Sequence, residues 1–267
     1  IPIFPPPRWG GSTRVDPVTN EITISQVPGR ENWVVAGITW RAAAVYCNWL
    51  HNDKQISIEA FSSGAYDIST FGRDPVTRKY TDQATRSPGA RYWIPSLDEW
   101  IKAVHYDPDR HGPGPGLESG GYWTFPDGSD TKPITGVPGV GETNADLVEE
   151  LGESAWQIPI GSYPETQTPW GLLDASGGAS ELTEDWEFVD NPLLRLIDGA
   201  SMDVFLSDEQ FNPDQLGRFD IPDRPDSPTR VAGLRIASAI PSPGGAVLLV
   251  ITVAVGGSRR HRTASRR

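Results

Sequence analysis

The sequence predicts an α+β fold, rich in loops, with two main helices and short antiparallel strands. Three observations predict it. The chain of 267 residues holds 25 prolines and 28 glycines but only 22% charged side chains, a balance that breaks the backbone into short elements. Two stretches carry apolar residues at helical spacing, and several short apolar or alternating runs between turn residues read as strands. Ten tryptophans supply the core and pocket-lining mass, because each buries a large area while its N–H still needs a partner.

In chain order, residues 2–17 form a Pro-rich coil with Pro5, Pro6 and Pro7 in succession, and Glu21 to Ser25 alternates as a short strand. In TWRAAAVYCNWLHN, Thr39 is placed to cap a helix whose apolar face is Trp40, Ala43, Ala44, Cys47 and Leu50. Cys47 therefore points inward. A reactive thiol needs a cationic, partly exposed setting, so Cys47 reads as a core residue. Residues 53–92 lack periodicity and read as loops, with FSSGAYD and RSPGARY as turns.

The second helix follows in IPSLDEWIKAV. Ser96 and Glu99 make a capping box, and Leu97, Trp100, Ile101 and Val104 make the buried stripe. Asp98 and Glu99 sit at the positive end of its dipole, so these acids read as structural. From Tyr106 to Glu142 the chain makes a long Gly/Pro-rich excursion in which Tyr122, Trp123 and Phe125 favour an ordered, packed loop.

The stretch TPWGLLDASGGASELTEDW, residues 168–186, is the centre of the chain's chemistry. Asp174 and Glu181 flank Ser176, Gly177 and Gly178, where missing side chains let carbonyls bend toward one point. Calcium takes six to eight oxygens from carboxylates and carbonyls, and this turn offers a large part of such a shell. The competing reading is an acidic surface hairpin with solvated carboxylates. Beyond it, Leu194 to Ile197 and Leu234 to Ala237 are strand candidates.

The composition then changes. PSPGGAVLLVITVAVGG is almost wholly apolar from Ala246 to Val255, and the last eleven residues carry five arginines and no acid. The expected division is therefore 1–239 as the folded domain and 240–267 as a transient membrane segment with a basic tail. The formal charge of −12 leaves −17 on the rest of the chain, which disfavours nucleic acid as a partner. With one cysteine no intrachain disulfide forms. The four histidines include no i, i+4 pair, and neither a G-x-S-x-G turn nor a phosphate loop is present.

Five stretches in order, ITWRAAAVYCNWL, RYWIPSLDEWIKAV, TNAD, IPIGSYPETQTPWGLLDASGGASELTEDW and VAGLRIAS, resemble the formylglycine-generating enzyme family, also called sulfatase-modifying factors. The resemblance covers roughly residues 35–238 and implies a C-type-lectin-like fold. The loop YDPDRHGPGPG with GGYWTFPDGSD resembles a secreted bacterial subgroup. The family's opening strand and first helix have no match, so an N-terminally incomplete domain is expected.

The resemblance implies structural calcium. At one site Asp174, the carbonyls of Gly177 and Ala179, and Glu181 match the family's ligands; at another Asn144 and the carbonyl of Ala145 match, with Glu153 as a substitute for the displaced carboxylate. It also implies the loss of the oxidase. The family's two copper-binding cysteines fall near Val204 and Glu209, neither of which replaces a thiolate, so no copper is expected. The C-terminus resembles a PEP-CTERM sorting signal, with PSP where PEP is usual. That implies export to the cell envelope and cleavage by an exosortase-type enzyme. A domain that keeps the family's fold and calcium without its copper centre is expected to be a binding module for a glycan or peptide. The alternative is a formylglycine-type oxidoreductase with altered ligands.

Overall fold

The computed structural model describes residues 10–19, 21–113, 119–203, 216, 224–228 and 231–239. Its architecture is α+β, with short helices and short strands joined by long connections. The positions expected to match the copper cysteines, near Val204 and Glu209, lie outside the described residues, as does the C-terminal segment from 240. Among the described residues no helix is long and apolar enough to cross a membrane.

Strands β1 (Gly11–Val15) and β2 (Ile22–Gln26) form an antiparallel hairpin. Helix α1 (Trp40–His51) begins where expected, with Thr39 Oγ1 accepting the Ala42 N–H at 3.0 Å. Its buried face is Trp40, Ala43, Ala44, Cys47 and Asn48. Trp40, Ala43, Ala44 and Cys47 meet Tyr66, Ile94, Leu182, Ile197 and Ala232 in the main apolar core. Asn48 is buried because its amide is satisfied: it donates to the carbonyls of Phe61 and Tyr66 and accepts the Tyr66 N–H at 2.7 Å. That side chain ties residues 61–66 to the helix.

The stretch expected to be all loop contains a short helix, α2 (Ile58–Ser62), capped by Ser57. Five residues are too few for apolar periodicity to show, so only the cap could have marked it. Strand β3 (Tyr92–Trp93) precedes α3 (Leu97–His105), whose Ser96–Glu99 capping box forms in full. Trp100, Val104 and His105 of α3 are buried. Strands β4 (Tyr106–Asp107) and β5 (Gly121–Tyr122) pair at the neck of the long excursion. Helix α4 (Val148–Leu151) follows.

Strand β6 (Ser180–Trp186) is the centre of a three-stranded sheet. It pairs antiparallel with β7 (Arg195–Asp198) and parallel with β8 (Ala232–Gly233). The parallel pair departs from the expected all-antiparallel arrangement. SELTEDW does not fit the competing reading of an acidic surface hairpin: it is a buried strand, with Glu181 and Glu184 both below 9% exposed. Buried carboxylates need partners, and here they have them. Glu184 accepts from the Tyr66 hydroxyl at 2.7 Å and from Arg86, and Glu181 from Trp100 and Arg235.

Arg195 of β7 is wholly buried between two tryptophan rings, 3.9 Å from the centroid of Trp40 and 3.7 Å from that of Trp186. It donates to the carbonyls of Gln83, Ala84 and Glu184, which fastens the 83–84 segment onto the sheet. Desolvation pulls its pKa down to about 9.

Candidate functional site

One cavity of about 730 Å³ lies against α1 and the start of β6. Pockets that hold small ligands run from roughly 300 to 1,000 Å³ with mainly apolar walls and a few placed polar groups. This cavity has that character. Its walls include Trp33, Val34, Ile38, Tyr46, Leu173 and Ile236, and its charged groups are Glu31, Asp174, Glu181 and Arg235.

The turn expected to bind calcium forms one side. Asn144, Asp174, Ala179 and Glu181 all line the cavity, so the structure brings three residues of the expected Asp174–Glu181 site together with one of the expected Asn144–Ala145 site. Gly177 packs onto Asn144: a Cβ at Gly177 would collide with Asn144 Oδ1, and its φ of +83° is open to glycine at little cost. Asn144 Oδ1 then accepts the Gly178 N–H at 2.7 Å. Ala145 is buried against Ala200, and its carbonyl accepts from the Thr135 hydroxyl at 3.0 Å. Glu153 is exposed in the segment after α4.

Asp174 is one of few non-glycine residues with a left-handed backbone, φ 54°, a region that Asp tolerates better than most. Its Oδ2 accepts the Gly161 N–H at 2.6 Å. Burial is the main influence on its carboxyl and pushes the pKa up; the Gly161 N–H and Arg235 pull the other way, and Glu181 adds to the rise.

Glu181 is more fully engaged. Its Oε1 accepts from Arg235 Nε at 2.8 Å and lies 2.6 Å from Nη2, while Oε2 accepts from Trp100 Nε1. Arg235 Nη2 also reaches the carbonyls of Leu173 and Asp174 at 3.1 and 3.2 Å. A guanidinium thus occupies one of the carboxylates that the resemblance assigns to an ion. A calcium ion closed by Glu181 would share that carboxylate with Arg235 or displace it. Among the described residues, no three His, Cys, Asp or Glu side chains stand close enough together to hold a metal ion by themselves.

Arg235 carries no role in the sequence reading, although a lone arginine inside the apolar run VAGLRIAS was a visible signal. A charge in such a run is kept only with a buried partner. Of the aromatic side chains, Tyr122 is 41% and Trp170 54% exposed. Trp123 is half-buried, its indole donating to Asp107 at 3.0 Å and stacked by Arg110 at 4.4 Å.

The model of the sulfatase-modifying factor enzyme 1-like domain matches residues 9–240. No curated protein matches the chain. Among solved structures, that of CarF aligns with a TM-score of 0.47 and 18% identity, covering 86% of this chain and 74% of the other.

Proposed function

The chain belongs to the sulfatase-modifying factor enzyme 1-like family, and from that premise we propose that it is a binding module of the family, built on a C-type-lectin-like fold and without copper oxidase activity. The observation that carries the proposal is the cavity: about 730 Å³, apolar in its walls and charged at one side. Tyr122 and Trp170 each present an exposed ring of the kind on which a sugar or peptide side chain stacks.

The loss of oxidation follows from thiol chemistry. Copper(I) held by two cysteine thiolates needs two cysteines. This chain has one, Cys47, and it is buried in the α1 core with its pKa pushed up to about 12, mainly by desolvation. The residues present do not fit a two-thiolate copper centre. The test is copper loading and oxygen uptake with a cysteine-containing peptide. Turnover would replace the binding reading with an oxidoreductase that uses altered ligands.

A structural calcium ion at Asp174, Gly177, Ala179 and Glu181, with Asn144 and Ala145 at a second position, is the reading favoured by the gathering of Asn144, Asp174, Ala179 and Glu181 on one cavity wall. It requires Arg235 to yield at Glu181. Metal analysis of the purified chain, with melting curves in calcium and in EDTA, decides it. Export and sorting to the cell envelope complete the proposal, with the apolar segment and arginines of residues 246–267 read as the signal for an exosortase-type enzyme. Fractionation of the producing cells tests that part: a wholly cytoplasmic product would refute it. Glycan and peptide arrays test the ligand class.

A further inference from the structure

We propose that the cavity beside α1 takes an organic ammonium ion with an apolar body, its positive head set against Asp174 and its body against the aliphatic and aromatic walls. The inference rests on the binding reading above and is an alternative to a metal ion at Asp174.

The argument is one of charge and shape. Among the described residues the cavity is lined by three carboxylates, Glu31, Asp174 and Glu181, and one cation, Arg235. That cation is spent: its guanidinium lies 2.6 Å from Glu181 Oε1 and fills its remaining reach with two backbone carbonyls. Neither Glu31 nor Asp174 has a salt-bridge partner among the described residues; each accepts a backbone N–H, from Gly29 at 3.1 Å and from Gly161 at 2.6 Å. The described lining therefore carries a net negative charge beside apolar walls, three carboxylates against one guanidinium. Arg30, stacked on Trp33 at 4.4 Å, is not a lining residue.

Such a lining discriminates by sign. An anionic ligand would meet Asp174 and Glu31 with no free cation to receive it. A neutral apolar ligand would desolvate Asp174 further and offer its carboxylate no new partner, which is costly. An ammonium on an apolar chain satisfies both parts, and the chemistry is shared by a free alkylamine and a lysine side chain flanked by apolar residues.

The test is isothermal titration of the full chain with hexylammonium, hexanol and hexanoate at matched ionic strength, and with the peptide acetyl-Leu-Lys-Leu-amide. Hexylammonium or the peptide is expected to bind one site at least about tenfold more tightly than hexanol, with hexanoate silent. The tighter of the two cations identifies a free amine or a lysine side chain as the source. Asp174→Asn, which keeps a residue tolerant of positive φ, is expected to weaken that binding about tenfold. Glu31→Gln, at the exposed position, is expected to weaken it less.

Equal affinity for all three six-carbon probes would overturn the proposal. So would undiminished binding by a folded Asp174→Asn chain. Calcium that binds and excludes hexylammonium would overturn it in favour of the metal reading. No ammonium binding, together with capture of a glycan sensitive to Trp170→Ala, would overturn it and leave the binding-module reading intact.

Discussion

Nη2 of Arg235 lies 2.6 Å from Oε1 of Glu181, joining the segment after β8 to the first residues of the central strand at the wall of the cavity. Trp100 closes the other carboxylate oxygen, so α3 is tied into the same knot. Burying a charge pair is costly, and losing one partner is costlier than losing both. Arg235→Met is therefore expected to destabilise the fold by about 3–5 kcal/mol, and adding Glu181→Gln to restore part of that loss. Urea denaturation of the two variants checks it. An unchanged midpoint for Arg235→Met would show that the pair contributes nothing.

The turn that seats Asn144 depends on one residue without a side chain. Gly177→Ala places a methyl group against Asn144 and Thr143 and imposes a φ that alanine avoids. It is expected to destabilise by more than about 1 kcal/mol. Gly89→Ala, at φ +81° with no atom in the way, isolates the backbone part of that penalty. If the two cost the same, the packing of Gly177 on Asn144 is unimportant.

How much could be read from the sequence follows the range of the interactions. Thr39 with α1, and Ser96 with Glu99 at the start of α3, are settled within one helical turn, and both stood out in the sequence. Strand β6 did not, because SELTEDW is polar at positions that are buried. Its acids are satisfied by residues far away in the chain: Glu184 by Tyr66 and Arg86, Glu181 by Trp100 and Arg235. No local pattern reports a partner 118 residues off. The candidate site divides the same way. Asp174 and Glu181 stand out by residue type and Asn144 through the family resemblance, while the cation on Glu181 and the aliphatic walls depend on folding.

Cys47 offers a clean chemical probe of the core. It is wholly buried on α1, and desolvation, with Glu184 nearby, pushes its thiol up to about 12. Alkylation requires the thiolate. Native protein treated with iodoacetamide at neutral pH is expected to stay unlabelled, with labelling in denaturant tracking the loss of secondary structure. Rapid labelling of the native chain would mean that α1 opens independently or that the thiol has a cationic partner.

His105 makes the fold sensitive to acid in a defined window. It ends α3 almost wholly buried, its Nδ1 lies 3.2 Å from the Trp123 carbonyl, and its own carbonyl accepts the Trp123 N–H, so it holds the long excursion onto the helix. Burial pulls its pKa down to about 4, against an unfolded value of roughly 6.5. Above the unfolded value both states are neutral and the contribution is complete. As the pH falls from there toward 4, the unfolded chain takes up a proton that the native imidazole refuses, and up to about 3 kcal/mol is lost. The raised carboxyls of Glu184 and Asp174 act with the opposite sign, since their native states bind protons more readily. The slope must therefore be read by difference: His105→Gln is expected to flatten the fall in stability between pH 6.5 and 4 relative to the parent chain. Parallel pH profiles for the two proteins would mean that His105 is protonated in the native fold and that the excursion is held by other contacts.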